Sequence, residues 1–293
     1  MYRNACHPIA IPLLLILAIG LAVGCAADQA TVAPHVTGVT EEVGELLITP
    51  ETLETRLADK RLRILDVRPA AEYAKAHIPG AVHLDISAWK NLALSDGGLQ
   101  DANAWAKNVG SLAIDNDTSV VVYGGALNDV GRAWWLLKYV GLADVRLLDG
   151  DWDAWQAANR PFETGTVDVV ATEFQPQLQT DRLAQTADVK RYIEDSSVVI
   201  LDARSEREYM AGHVPTAVNL DWSVLLTDDD RFKTPEELRK IFENAALDDA
   251  RTVVSSCATG SRSSAQVFAL ELAGYTNVKN YFGSLRQWSR EAE

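Results

Sequence analysis

Residues 199–204 read Val-Ile-Leu-Asp-Ala-Arg, and residues 63–68 read Arg-Ile-Leu-Asp-Val-Arg, 136 positions earlier. The agreement continues at the same offset, because residues 213–218 read His-Val-Pro-Thr-Ala-Val and residues 77–82 read His-Ile-Pro-Gly-Ala-Val. A chain of 293 residues is also long for a single hydrophobic core. The repeat and the length together predict two homologous domains.

Each copy alternates short β-branched runs with amphipathic segments, a pattern typical of βα units that build a parallel sheet. Strands are predicted at residues 63–67, 119–123 and 145–149, and again at 198–202, 252–256 and 278–282. Helices are predicted at residues 50–59, 101–109, 130–140, 186–195, 234–245 and 262–273. The predicted fold is therefore α/β, with two domains that each hold a small parallel sheet with helices on both faces.

The N-terminal segment has the pattern of an export signal. An apolar run at residues 9–24 follows Arg3, which predicts a signal peptide over residues 1–24. The residues that end in Cys25 resemble a bacterial lipobox, so acylation of Cys25 and a lipidated tether at residues 25–44 are expected. An uncleaved anchor helix and an ordinary secretory signal are the alternatives. In each case the sequence predicts an exported protein of the cell envelope or periplasm. Acylation of Cys25 would attach it to the membrane through a lipid anchor.

The composition limits the classes of protein to which the chain can belong. The chain is globular, with 47% apolar and 23% charged residues. Its formal net charge of −14 repels nucleic acid, which is therefore not expected as a partner. The predicted division is a first domain at residues 45–165, a linker at 166–180 and a second domain at 181–293. Of the three cysteines, at positions 6, 25 and 257, only Cys257 lies in the predicted folded part, so it is expected to be an unpaired thiol.

Cys257 is the candidate nucleophile. The predicted strand at residues 252–256 runs directly into it, and open α/β sheets bind ligands at the carboxyl ends of their strands. Loop N–H groups and the following helix N-terminus are expected to stabilise a thiolate and to bind an anion. The predicted substrate-binding residues are the loop and its cation, namely Ala258, Thr259, Gly260, Ser261 and Arg262. A buried structural thiol is the alternative interpretation.

Several motifs together resemble the rhodanese family over nearly all of residues 45–293: the Cys-x-x-Gly-x-Arg loop, the paired Asp-x-Arg and His-x-Pro segments, and the Gly-x-x-x-x-Trp endings at Gly150 and Gly283. The resemblance implies a tandem sulfurtransferase of the thiosulfate or 3-mercaptopyruvate type. Its first domain is inert, and in the second a loop cysteine carries a persulfide from a small anionic donor to a thiol or cyanide-like acceptor. It also implies that no cofactor is needed.

Three features of the sequence bear on this resemblance. At an offset of 133, Gly124 stands opposite Cys257 and Asp129 opposite Arg262, which agrees with an inert first copy. The loop reads neither Cys-Arg-x-Gly nor Cys-Gly-x-Gly, so the donor is left open. Thr216 stands where the first copy has glycine, and the geometry of that turn is open as well.

Some residues have two interpretations. Arg204 matches a donor-binding arginine of two-domain relatives, but Arg68 stands at its place in the inert copy, so a structural role is equally expected. His77 and His213 are predicted to make structural hydrogen bonds, because both copies contain them. Trp222 is interpreted either as a wall of the pocket or as a core residue. Asp66, Asp202, Trp155 and Trp288 are predicted to be scaffold.

Two other functions compete with sulfur transfer. A Cys-dependent phosphatase or arsenate reductase uses a similar loop, but five residues usually separate its cysteine and arginine, whereas four separate Cys257 from Arg262. A non-catalytic envelope module that binds a partner or carries sulfur is the other alternative. Neither a Cys/His spacing typical of a metal site nor a phosphate or dinucleotide loop occurs, so no metal is expected.

Overall fold

The first domain is built on a parallel sheet in the strand order β1-β5-β4-β2-β3. The computed structural model describes residues 46–249 and 251–291. The strands of this sheet are β1 Leu47–Ile48, β2 Leu62–Asp66, β3 Val82–His83, β4 Ser119–Tyr123 and β5 Val145–Leu148. All of its strand pairs are parallel. The central strand β4 pairs with both β2 and β5.

The second domain repeats this order, and the counterpart of β1 is reduced to a single parallel bridge between Leu183 and Asn280. Its strands are arranged β7-β6-β8-β9 and comprise β6 Val198–Asp202, β7 Val218–Asn219, β8 Thr252–Ser256 and β9 Val278–Asn280. These strands are also all parallel. The strand β8, which leads into Cys257, therefore lies between β6 and β9 inside the sheet.

Helices connect the strands in both domains. The first domain contains α1 Pro50–Arg56, α2 Ala70–Lys75, α3 Ile86–Ala93, α4 Ala102–Gly110, α5 Leu127–Tyr139 and α6 Asp151–Ala157. The second contains α7 Thr186–Tyr192, α8 Glu206–Met210, α9 Pro235–Asn244, α10 Ser261–Leu272 and α11 Ser284–Glu291. Single 3-10 turns lie at Gly98–Gln100, Thr180–Arg182 and Trp222–Leu225.

Alternation along the central strand shows that both faces of the first sheet are covered. Val120 and Val122 belong to one apolar cluster, whereas Val121 and Tyr123 belong to another on the opposite face. Successive strand residues point to opposite faces, so each cluster is the core of one helix layer. The predicted α/β class with two small parallel sheets is confirmed.

The two domains share a core through α5 and α10, the helices that follow residues 124 and 257. Gly131 of α5 lies so close to α10 that a Cβ at this position would come within 2.8 Å of the Ala265 Cα. Trp134 packs edge-to-face on Phe268, with ring centroids 5.0 Å apart. One apolar cluster accordingly includes residues of both domains. The segment predicted as a linker lies against the first domain, because the Gln177 N–H donates to the Val140 carbonyl at 2.9 Å.

The turns that precede β3 and β7, at the same place in the two copies, have the same geometry. The Ala81 N–H donates to the Ile78 carbonyl at 2.9 Å, and the corresponding bond from Ala217 measures 3.1 Å. The third turn residue has a positive φ in both turns, +74° at Gly80 and +65° at Thr216. Such a turn favours glycine, because the left-handed region is costly for a β-branched residue. Thr216 therefore keeps the turn of the first copy under backbone strain.

Replacing Thr216 by glycine is expected to stabilise the protein. Relief of the left-handed strain, about 1 to 2 kcal/mol, should exceed the added entropy of the unfolded chain and leave a gain of about 0.5 to 1 kcal/mol. Urea unfolding followed by circular dichroism measures this difference. The matched control is Gly80→Thr, which should destabilise the protein. If Thr216→Gly lowers the unfolding free energy, the strain assigned to this turn is absent.

Candidate active site

Cys257 lies at the carboxyl end of the inner strand β8, where the chain turns into α10. Its side chain is buried, with 1% of its surface exposed, and it is a free thiol. The turn depends on Gly260, which has a φ of +89°, and a Cβ at this position would come within 2.7 Å of the Phe282 carbonyl oxygen. Only glycine fits this approach, so the loop wraps tightly around the sulfur.

N–H groups of the loop and the hydroxyl groups of two serines surround the sulfur. The Gly260 N–H donates to Sγ at 3.2 Å, and the hydroxyl oxygens of Ser263 and Ser284 lie 3.6 and 3.8 Å from it. Burial by itself raises the pKa of the Cys257 thiol, but the N–H groups of Ser263 and Thr259 and the Ser263 and Ser284 hydroxyl groups beside the sulfur outweigh it, and the net pKa is lowered. The site therefore favours the nucleophilic thiolate.

A buried polar network fixes the loop from behind. The Ser263 hydroxyl donates to Asn280 Oδ1 at 2.8 Å, and Asn280 Nδ2 donates to the Ser264 hydroxyl at 2.9 Å. Ser264 in turn donates to the Gly260 carbonyl at 2.6 Å. Each hydroxyl and amide group of this network has a hydrogen-bond partner, which a buried network needs in order to stabilise the fold. The network links β9 to both ends of the cysteine loop.

The N-terminus of α11 holds the backbone of the loop. Ser284 accepts the Cys257 N–H at 3.0 Å and donates to the Tyr281 carbonyl at 2.8 Å. The N–H groups of Leu285 and Arg286 donate to the carbonyls of Cys257 and Ala258, both at 3.1 Å. With the Cys257 and Ala258 carbonyls directed to α11, the N–H groups of Thr259 and Gly260 face the sulfur or a bound anion.

Arg262 forms an ion pair with a partner that the sequence did not identify. Its guanidinium donates to both carboxylate oxygens of Glu208, at 2.6 and 2.8 Å. Hydrogen bonds from Arg262 and Ser205 hold the pKa of Glu208 at about 2, so this carboxylate is charged at neutral pH. Arg262 still interacts electrostatically with Cys257, but Glu208 offsets much of its charge. The predicted donor contact of Arg262 stays a prediction.

The predicted loop residues have different partners. Gly260 and Thr259 offer backbone N–H groups to the sulfur. The Ala258 carbonyl is taken by α11, and the Ser261 hydroxyl lies 3.3 Å from Asn128 Nδ2 of the first domain. The structure thus places Gly260 and Thr259 beside the thiol and directs Ser261 toward the other domain.

Arg204 is held by the chain itself. It is buried, and its Nε and Nη2 donate to the Asp202 carboxylate at 2.9 and 2.6 Å. It also donates to the carbonyls of Glu208 and Gly212, at 3.1 and 2.7 Å. The pair Arg68 and Asp66 in the first domain repeats this geometry. Although Arg204 borders a surface cavity of about 530 Å³, these contacts favour the scaffold interpretation.

The two repeated histidines make the predicted structural hydrogen bonds. His77 Nδ1 lies 2.9 Å from the Tyr73 carbonyl oxygen, and the ring stacks on Tyr73 at 4.2 Å. His213 repeats both contacts with Tyr209, at 3.0 and 3.8 Å. Trp222 is partly buried against the main apolar cluster, which agrees with its core interpretation. In the described part of the chain, no group of three or more metal-ligating side chains converges.

The corresponding place in the first domain is closed. A Cβ at Gly124 would lie 2.6 Å from Asp66 Oδ1 and 2.8 Å from Arg68 Cγ, so a side chain does not fit there. Asp151 stands opposite Ser284 and accepts the Gly124 N–H. Burial raises the pKa of Asp151 to about 6. The first copy therefore lacks both the thiol and the space for it.

Sequence reasoning missed Ser263, Asn280, Ser284 and Glu208. A comparison of the two copies would have pointed to the first two, since at an offset of 133 they replace Val130 and Leu147 of the first domain. Polar residues at positions that are apolar in the inert copy are a signal of a buried functional network. The pairing of Glu208 with Arg262 has no such signal, because it joins residues 54 positions apart.

A parallel α/β domain that presents a buried thiolate in a loop of N–H donors defines a class of cysteine-dependent transfer proteins. A family model described as the rhodanese-like domain matches residues 49–158 and 185–291. This chain therefore belongs to the rhodanese-like family, in a tandem form, and the predicted resemblance is confirmed.

Individual relatives agree with this assignment. The chain is 31% identical to the sulfur carrier protein TtuD of Thermus thermophilus, over 83% of this chain and 93% of that protein. It is 28% identical to the 3-mercaptopyruvate sulfurtransferase of Rattus norvegicus, over 83% and 90%. Among solved structures, the chain is similar to SseA of Escherichia coli, which is described as a 3-mercaptopyruvate sulfotransferase. The two superpose with a TM-score of 0.72 at 27% identity, over 82% of this chain and 98% of SseA.

Proposed function

We propose that this protein is a sulfurtransferase in which Cys257 accepts sulfane sulfur from thiosulfate or a similar anionic donor and passes it to a thiophilic acceptor. The observation that carries the proposal is the buried thiol of Cys257, whose pKa is lowered by the N–H and hydroxyl groups around it. The family relationship and the named sulfurtransferase relatives support it.

The reaction balances without an external oxidant or reductant. The Cys257 thiolate attacks the outer sulfur of thiosulfate, an S–S bond forms, and sulfite leaves with the electron pair of the bond that breaks. An acceptor such as cyanide then attacks the outer sulfur, so that thiocyanate leaves and the thiolate is restored. The persulfide places its outer sulfur about 2 Å beyond Sγ, within the field of the same N–H groups.

The arrangement of Arg262 separates this proposal from a phosphatase. A Cys-dependent phosphatase needs an arginine directed at the bound phosphoryl group, whereas Arg262 is engaged by Glu208. The loop then offers mainly backbone N–H groups, which suits a single sulfur atom. A carrier that holds sulfur without turnover uses the same chemistry up to the persulfide, and it is distinguished by the second half-reaction.

The persulfide is tested by mass spectrometry of the full chain. After incubation with thiosulfate, the peptide that contains Cys257 should gain the mass of one sulfur atom, and cyanide should remove it. Cys257→Ser should abolish both changes, because a hydroxyl without an adjacent base is a weak nucleophile. The matched control is Cys25→Ser, which leaves Cys257 in place and should load normally.

The outcomes distinguish the alternative functions. Repeated thiocyanate formation supports an enzyme, whereas a single loading without turnover indicates a carrier. If no sulfane donor changes the mass and an aryl phosphate is hydrolysed through Cys257, the phosphatase interpretation replaces the proposal.

The ion pair of Arg262 gives a second prediction, on donor binding. Arg262→Ala should lower kcat/KM for thiosulfate by no more than about 10-fold, because Glu208 already accepts from both Nη groups and offsets much of a charge-assisted contact that would otherwise contribute about 1.5 to 3 kcal/mol. Arg262→Lys should rescue this only in part. Glu208→Gln, which frees the guanidinium, should lower the KM for thiosulfate. A lower melting temperature with unchanged kcat/KM in Arg262→Ala would indicate that the pair is only structural.

We also propose that the protein is exported and anchored through acylated Cys25. The motif lies outside the described residues, and among the described residues there is no helix with the length and hydropathy needed to cross a membrane. Cys25→Ser should move the protein from the membrane fraction to the soluble fraction, or leave an unprocessed precursor. The variant cannot carry the acyl chains on residue 25, and more than one chain is needed for stable anchoring. Unchanged membrane retention of the variant would favour an uncleaved anchor helix.

A further inference from the structure

The catalytic loop of the second domain lies next to the first domain. Asn128 of α5 is within 3.3 Å of the Ser261 hydroxyl, one residue after Gly260. One helical turn later, Gly131 is in close contact with Ala265. The first turns of α5 and α10 are therefore packed together at the start of the helix that follows Cys257. A side chain on this stretch of α5 is within reach of the site.

Arg132 is that side chain. Only 3% of the residue is exposed, and its Nη1 donates to Asp129 Oδ1 at 3.1 Å. Its Nε is buried and has no hydrogen-bond partner among the described residues. A buried guanidinium with an unused donor is costly unless a nearby negative charge compensates. Burial lowers the pKa of Arg132, while the charges of Asp129 and of the Cys257 thiolate act in the opposite direction.

We propose that Arg132, contributed by the inert first domain, is a positioning residue that supplies the interior positive charge for the thiolate and the persulfide at Cys257. The inference rests on Cys257 being the nucleophile. It assigns the first domain a part in the active site, because the nucleophile and this cation come from different copies of the repeat.

The charges around the site explain why this role falls to Arg132. Arg262 of α10 also interacts with Cys257, but it is paired through two hydrogen bonds with Glu208 of α8. Arg132 has a single bond to Asp129, whose side chain is 38% exposed and therefore well screened by water. The compensating carboxylate lies toward solvent, and the guanidinium lies in the interior, where its field is least screened.

The repeat supports the same assignment. At an offset of 133, position 132 of the first copy corresponds to Ala265 of the second, which carries no charge. Asp129, which partners Arg132, stands at the place of Arg262. The first copy thus lost the thiol and the loop cation but has an arginine at the domain interface, a change that serves the other copy's site.

The test is the pH dependence of Cys257 alkylation by iodoacetamide in the full chain, followed on the Cys257 peptide by mass spectrometry. Arg132→Met removes a positive charge and should raise the midpoint of the alkylation profile by about one pH unit or more. Arg132→Lys keeps the charge and should stay near the wild-type midpoint. The matched control is Arg63→Met, which removes a first-domain arginine whose Nε is likewise buried without a partner in the described chain.

A second variant decides the question even if Arg132→Met does not fold. Asp129→Asn removes the carboxylate that offsets Arg132 and should lower the midpoint, the opposite direction from Arg132→Met. An unchanged or raised midpoint in Asp129→Asn, or equal midpoints in folded Arg132→Met and Arg63→Met, overturns the inference. Sulfur loading of the wild type by thiosulfate is measured in parallel, and its absence would instead contradict the proposed function.

Discussion

The close contact of α5 with α10 is the constraint on which the rest of this structure depends. Gly131 permits the approach to Ala265, and the approach brings aromatic side chains of the first domain against the second. Trp135 stacks on Phe282 with ring centroids 5.1 Å apart, and Phe282 is the residue that leaves no room for a side chain at Gly260. The loop that carries Cys257 is therefore supported from the other domain.

The same contact accounts for how the two copies diverged. Both keep the buried pair of aspartate and arginine where β2 and β6 end, at Asp66 and at Asp202, because this pair closes the following loop. Only the second keeps a thiol. In the first, Gly124 lies against Asp66, and the N–H that would face a sulfur-bearing residue donates to Asp151. A copy without its own nucleophile is free to specialise in packing against its partner.

The inner strands could be predicted from the sequence, because continuous β-branched runs mark buried parallel strands: Ser119–Tyr123, Val198–Asp202 and Thr252–Ser256 are found as expected. The two-residue edge strands Leu47–Ile48 and Val218–Asn219 could not, since two residues define no periodicity. Likewise the position of the cysteine loop follows from local sequence. The partners of its side chains do not, because ion pairs such as that of Arg262 are set only when distant segments pack.

Burial of Cys257 both opposes and enables its chemistry. Removing the thiolate from water costs free energy, but exclusion of water also strengthens every N–H group directed at the sulfur. The formal charge of −14 opposes an anionic donor at long range, yet charges in solvent are screened beyond about 8 Å at physiological ionic strength. Recognition of the donor must then arise from groups within the site. A few fixed donors and interior cations suffice for this, provided that the loop is held rigidly, which is the role of Ser284 and the N-terminus of α11.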